Sequence, residues 1–238
     1  MKKVLSYIVF FHLVSMTQAQ NIDSTHASSA YVQANIGFAI PECAFKANEY
    51  RVYGGNALEG VTCGLSCGIP IYKSHWVLAA MYLNYTNSIN YSTYGAEVGS
   101  GQQSYYFGNV IIAGIYYSCS VKEVSFDFGG YAGVNYCQFP DTWVELTYYS
   151  NPKIMGGDYD TEFNPAITYA LDATAQMRFA PRNAHLGLLL RGDFFYSNAR
   201  YTANETVNNQ NGNYTTGLSG NMQILQLFLQ AGLFYHFK

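Results

Sequence analysis

Charge is what this 238-residue sequence has least of. Asp, Glu, Lys and Arg together make up 11% of it, where a soluble domain carries roughly a quarter. The little charge present has no strong sign: 12 basic residues stand against 15 acidic ones, a net of −3. There is no basic patch, so nucleic acid is excluded as a partner. Beyond the N-terminal segment no apolar run reaches transmembrane-helix length, and no helix is expected to span a membrane. His75, His185 and His236 lack ligand spacing of the HxxxH kind, so neither a metal site nor any other cofactor is expected.

Other residues are abundant. Aromatic side chains form 17% of the chain, with 23 tyrosines, and there are 22 glycines. Little charge with much tyrosine and glycine suits a surface partly solvated by lipid, where charges are costly and aromatic rings sit at the interface. The N-terminus carries Lys2 and Lys3, then the apolar run 4–14, then small residues ending at Ala19. That is the pattern of a secretory signal cut after Ala19. Residue 20 is Gln, not Cys, so no lipoprotein anchor is indicated. Loss of the signal removes two lysines and leaves 10 basic against 15 acidic residues, a net of −5. The expected organisation is a signal peptide at 1–19, a short periplasmic lead-in at 20–29, and a single β-domain at 30–238.

The last stretch sets the pattern for that domain. Leu225, Leu227, Leu229, Ala231, Leu233, Tyr235 and Phe237 form an unbroken apolar series, interleaved with Ile224, Gln226, Phe228, Gln230, Gly232, Phe234 and His236. Period two means a strand with two unlike faces. A uniformly apolar face of about ten residues ending in aromatics fits a strand that crosses a bilayer at a tilt. The same alternation returns at 30–40, 61–69, 124–136, 167–179 and 186–197. Segments 75–86 and 104–118 also read as strands but are apolar on both faces, so the pattern does not assign their sides. The eight strands are joined alternately by short turns (after the second, fourth and sixth) and long loops (after the first, third, fifth and seventh). The loops at 139–163, which is acidic, and at 198–220 are the longest. Strict alternation of short and long connections is what an even-stranded membrane barrel with both termini on the periplasmic side requires. The expected fold is therefore all-β: an eight-stranded antiparallel up-and-down transmembrane β-barrel after a cleaved signal peptide.

The segment Leu233-Phe234-Tyr235-His236-Phe237, with the strand pattern before it, resembles the small eight-stranded bacterial outer-membrane barrels of the OmpA, OmpX and opacity-protein type. The resemblance covers residues 30–237 and implies a C-terminal insertion signal formed by Leu233, Tyr235 and Phe237; Lys238 departs from the usual aromatic end. It implies location in the bacterial outer membrane, contact with its lipid and lipopolysaccharide, and handling by the barrel assembly machinery. It further implies loops that contact host or surface ligands, and a structural or adhesive role without catalysis. The alternatives are a narrow pore for ions or small solutes, and a lipid A-modifying enzyme. The segment 195–198 resembles the H-Y-S-N stretch of the lipid A deacylases, but Phe195 stands where that family has its catalytic histidine. Ser197 thus lacks its base there.

The few charges on the minority faces are Asp127, Asp172, Arg178, Arg191 and Asp193. Small barrels have interiors filled by side chains, and buried charges need partners, so these five are expected to form an interior charge network. A two-residue turn at Pro181-Arg182 would set Asp172 opposite Arg191 and Arg178 opposite His185. A second register sets His185 beside His236, and Asp127 level with Gln176 or Arg178. Of the five cysteines, Cys63 and Cys67 share a strand face about 13 Å apart, too far for a disulfide. They read as lipid-facing filler, and Cys43, Cys119 or Cys137 as candidates for cross-linking.

Overall fold

The computed structural model describes residues 29–45, 57–72, 74–89, 105–140, 142–146, 157–181, 184–209 and 212–237. The signal peptide and nearly all of the lead-in lie outside these. The described residues form ten strands: β1 (Tyr31–Glu42), β2 (Ala57–Pro70), β3 (Trp76–Ile89), β4 (Tyr105–Val121), β5 (Val124–Gln138), β6 (Thr142–Leu146), β7 (Gly157–Asn164), β8 (Ala166–Phe179), β9 (Leu186–Asn209) and β10 (Gly212–His236). Eight of them close a ring in the order β1-β2-β3-β4-β5-β8-β9-β10, all antiparallel, with β10 returning to β1. Closure runs from Tyr31 opposite His236 to Glu42 opposite Leu225, so neither strand keeps a bare edge within the ring.

Both ends of the ring are defined by its connections. At the turn end lie the start of β1, the end of β10, and the short connections β2–β3, β4–β5 and β8–β9. Backbone bonds from Ser118 N to His75 O, Ala180 N to Glu123 O, His236 N to His185 O and Phe237 N to Ala30 O stitch this rim together at 2.8–3.1 Å. Lys122 takes φ 57° in the two-residue β4–β5 turn, the left-handed geometry a tight hairpin needs. The opposite, loop end is less simple than the sequence suggested. Residues 198–209 and 212–220, expected as loop, continue β9 and β10 as one long hairpin. Within the expected loop at 139–163, β7 pairs with β9 and β6 pairs with β7. A four-stranded sheet therefore rises past the ring. Its Asn/Thr/Gly-rich sequence lacks the apolar stripe that announces a strand, which is why it read as loop.

The expected register of β8 on β9 is corrected by four residues. Gln176, not Asp172, stands opposite Arg191, and Leu189, not His185, stands opposite Arg178. The cause is the turn. Ala184 N bonds Pro181 O at 2.9 Å, and pairing resumes only at Leu188 opposite Phe179, so more residues lie between the strands than a two-residue turn would leave. The β9–β10 register matches expectation, with Leu186 facing Tyr235, and of the two partners left open for Asp127, Gln176 and Arg178, it is Gln176 that stands opposite.

The tyrosine and glycine content also has a second origin. Tyr31 stands opposite Gly68, Tyr85 opposite Gly108 and Tyr201 opposite Gly220. Each side chain lies over its glycine, so that a Cβ there would meet a ring carbon of Tyr31 at 2.3 Å, a ring carbon of Tyr85 at 2.1 Å and the Tyr201 hydroxyl at 2.4 Å. Glycine is the only residue that leaves space for these rings, two inside the narrow barrel and one in the sheet beyond it. Six of the described tyrosines (Tyr31, Tyr85, Tyr106, Tyr116, Tyr131 and Tyr201) are core residues, not interface anchors.

Candidate functional site

Alternation along each strand produces two surfaces, and the molecule's chemistry is divided between them. The inward face is filled. From β3 and β4 come Val77, Met81, Leu83, Tyr85, Val110, Ile112 and Tyr116, all buried, which settles the sides left open by their sequence. From β1, β5, β8, β9 and β10 come Gln33, Asn35, Asp127, Asn135, Asp172, Gln176, Arg178, Arg191, Asp193, Gln226 and Gln230, buried as well.

The five charged residues singled out from the sequence meet in this interior as two clusters. Near the turn end, Arg178 donates from Nε to Asp127 Oδ2 (2.7 Å) and from Nη2 to Asp127 Oδ1 (3.1 Å). Gln176 donates to the same carboxylate at 2.7 Å, and Gln33 donates to Gln176 at 3.2 Å. The guanidinium lies 4.7 Å from the Tyr31 ring centre and 5.6 Å from that of Phe234, and the Tyr116 hydroxyl donates to that of Tyr31 at 2.6 Å. In the second cluster, Arg191 Nε donates to both oxygens of Asp193 at 2.7 and 2.8 Å, and its Nη2 lies 2.6 Å from Asp193 Oδ1. Asp172 is held more loosely, its Oδ1 3.8 Å from Arg191 Nη2, with no hydrogen bond to either of its oxygens among the described residues.

Towards the loop end the filling becomes aromatic. Phe195, Tyr85 and Phe228 pack mutually with ring centres 5.5–5.8 Å apart. Above them Phe139 contacts Tyr106, Phe163 and Tyr201, and Phe45 contacts Tyr106. Sequence reasoning missed these rings as a plug, because most of them lie outside the clearly alternating segments. Ser197 is fully buried among them, donating to Tyr169 O at 3.0 Å and accepting from Asn135 at 3.4 Å.

The outward face is apolar and open. Ile36, Leu65, Ile69, Ile111, Leu188 and Leu190 are all more than half exposed. Aromatic side chains bracket them: Trp76, Phe179, Tyr235 and Phe237 at the turn end, Tyr82, Tyr136 and Tyr169 towards the loop end. Leu233, with Tyr235 and Phe237 of the C-terminal segment, belongs to this outer surface. His185 stacks on Tyr235 with ring centres 5.6 Å apart, its Nδ1 3.0 Å from His236 O. From Leu186 to Tyr196 the outward series of β9 covers ten residue steps, about 33 Å of strand. At a tilt near 45° that spans about 23 Å, close to the apolar band of a membrane barrel. Exposed apolar surface on this scale marks a membrane or partner face. All five cysteines are free; Cys63 and Cys67 face outward, and Cys137 is buried with its thiol 3.5 Å from Ala166 O. Burial corrects the expectation that Cys137 is available for cross-linking.

No protein-family model and no curated protein matches the chain. Among solved structures, Neisserial surface protein A superposes with a TM-score of 0.50 at 16% identity, over 87% of this chain and 97% of that one. A major outer membrane protein from Thermus thermophilus gives 0.49 at 13% identity, over 89% of this chain and 100% of its own. OprG from Pseudomonas aeruginosa gives 0.48 at 14%, over 91% and 100%. The likeness to the neisserial protein is one of fold: the ring of eight strands is that of the small outer-membrane barrels.

Proposed function

We propose that the chain is an integral protein of a bacterial outer membrane, a filled barrel that anchors a surface-exposed sheet and acts through contact, not through transport or catalysis. The observation that carries this is the closed ring with an apolar outward belt between two aromatic rims. Water does not favour such a belt, and a bilayer requires every backbone group to be paired as closure pairs them. The buried ion pairs and the aromatic plug favour a sealed interior over a pore. The deacylase reading finds no support at Ser197, whose hydroxyl points into the packing and away from the lipid that would supply a substrate. In the same reading Leu233, Tyr235 and Phe237 present the aromatic end to the assembly machinery.

The test is migration of the protein from the outer-membrane fraction on a detergent gel, with and without boiling, followed by conductance in planar bilayers. A heat-dependent shift with no stable conductance is expected. Protein found soluble, without a shift, overturns the membrane reading; steady single-channel steps overturn the sealed interior.

A further inference from the structure

The long β9–β10 hairpin changes character at one point without changing direction. On β9 the outward residues Leu186, Leu188, Leu190, Phe194 and Tyr196 belong to the apolar belt, and the next ones on that face are Asn198, Arg200, Thr202, Asn204 and Thr206. The register brings Ser219 beside Thr202 and Asn221 beside Arg200 on β10, and Asn164 of β7 beside Thr202. Asn164 donates to Thr202 at 3.2 Å, and the Thr206 and Thr215 hydroxyls are 3.2 Å apart, so these side chains form ladders on a single face. The opposite face is packed: Ala199, Tyr201, Ala203 and Val207 are buried.

We infer that this outward face is a carbohydrate-contacting surface, laid against the sugar headgroups of the glycolipid that surrounds the barrel. The inference rests on the outer-membrane reading above. A strand that continues straight from a lipid-facing segment keeps its side chains turned sideways, over the bilayer. The first material beyond the acyl chains on that side is the headgroup layer of the outer leaflet. The chemistry of the face suits sugar hydroxyls, because amides and hydroxyls both donate and accept. Arg200 and Glu162 are exposed on this face, and the register sets Asp160 opposite Thr206 and Asp158 opposite Asn208 beyond them. Arg200 sits beside the apolar boundary, where headgroup phosphates lie, and Glu162 sits further out, opposite Asn204. Continuity with the lipid-facing belt selects glycolipid as the occupant.

The experiment titrates the refolded full chain in detergent micelles with lipopolysaccharide bearing its core oligosaccharide, and separately with lipid A alone. Thr202→Ala/Ser219→Ala/Asn221→Ala is expected to bind the core-bearing form at least about tenfold more weakly than the parent chain and lipid A alone equally well. Where the triple variant does not reach the heat-shifted form, Asn221→Ala alone is expected to lose about threefold. Equal binding of the core-bearing form by variant and parent overturns the inference, as does a parent chain that does not distinguish the two glycolipids. Failure of the parent chain to shift with heat is a different outcome and strikes the outer-membrane reading itself.

Discussion

Arg178→Met is the sharpest probe of whether the interior is sealed. Arg178 and Asp127 are 2% and 0% exposed and make a two-point ion pair. With methionine at 178, the Asp127 carboxylate keeps only the Gln176 donor. Removing one partner of a buried pair costs about 3–5 kcal/mol, because the remaining charge is left uncompensated. Loss of the cation from the Tyr31 ring adds about 1 kcal/mol, so a total of about 4–6 kcal/mol is expected. Asp127→Asn in the same chain removes the stranded charge, and the double variant should lie within about 1–2 kcal/mol of the parent. The assay is a urea titration of protein refolded into phospholipid vesicles, followed by the heat-shifted fraction on a gel. Conductance should stay absent in both variants, since the Tyr31, Tyr116 and Phe234 rings remain in place. A single substitution costing less than about 1 kcal/mol would mean that water solvates Asp127, and the sealed interior would be wrong. A double variant as unstable as the single would show that packing, not charge, is what Arg178 supplies.

Three further outcomes are expected in the same titration. Asp172→Asn should be neutral or stabilising by about 1 kcal/mol, because Asp172 shares an arginine already committed to Asp193, whereas Asp193→Asn should cost about 3 kcal/mol; equal effects would refute the division of roles. Gly108→Ala places a Cβ 2.1 Å from the Tyr85 ring and should cost about 2–3 kcal/mol, while at Gly217, where nothing lies within 4 Å, alanine should be harmless or stabilise by about 0.5 kcal/mol. Leu188→Arg on the apolar belt should cost about 2–4 kcal/mol, against a change within about 0.5 kcal/mol for Thr202→Arg on the extension; similar costs at both would argue against a lipid-facing belt.

How much was legible depended on contrast between faces. In β10 and β5 the apolar and polar series are cleanly separated, so the strand, its side and even its register with a neighbour followed from the letters. Across 181–184 the same pattern was present, but register there hangs on a turn whose geometry the letters Pro-Arg-Asn-Ala leave open. The error of four residues came from that turn alone. It moved which charges stand directly opposite, while Arg191 still reaches Asp172 through the length of its side chain. The sheet beyond the ring was illegible for a different reason. Thr202, Asn204, Ser219 and Asn221 face no apolar medium, and a strand with a polar outer face and small residues such as Ala199 and Ala203 inside carries almost no hydrophobic contrast.

The strands whose sides could not be read, β3 and β4, carry an argument about function. A water-filled channel would need polar side chains around its whole circumference, and every strand would then show one polar face. In this chain β3 and β4 present Val77, Met81, Leu83, Val110 and Ile112 to the interior, and apolar residues to the outside as well. Their ambiguity in the sequence is therefore the signature of an interior that is apolar on one flank. The polar residues of β1, β2, β5, β8, β9 and β10 gather on the other flank, and several bond to one another: Asp127 to Arg178 and Gln176, Arg191 to Asp193, Asn35 to Gln230, and Gln230 to Thr62. A ring built this way concentrates its charge in side-chain pairs on one flank and leaves the other flank mostly apolar, which supports the sealed interior proposed above. What remains open to a partner is the outer surface and the sheet that continues it, and the chain's activity is to be sought there.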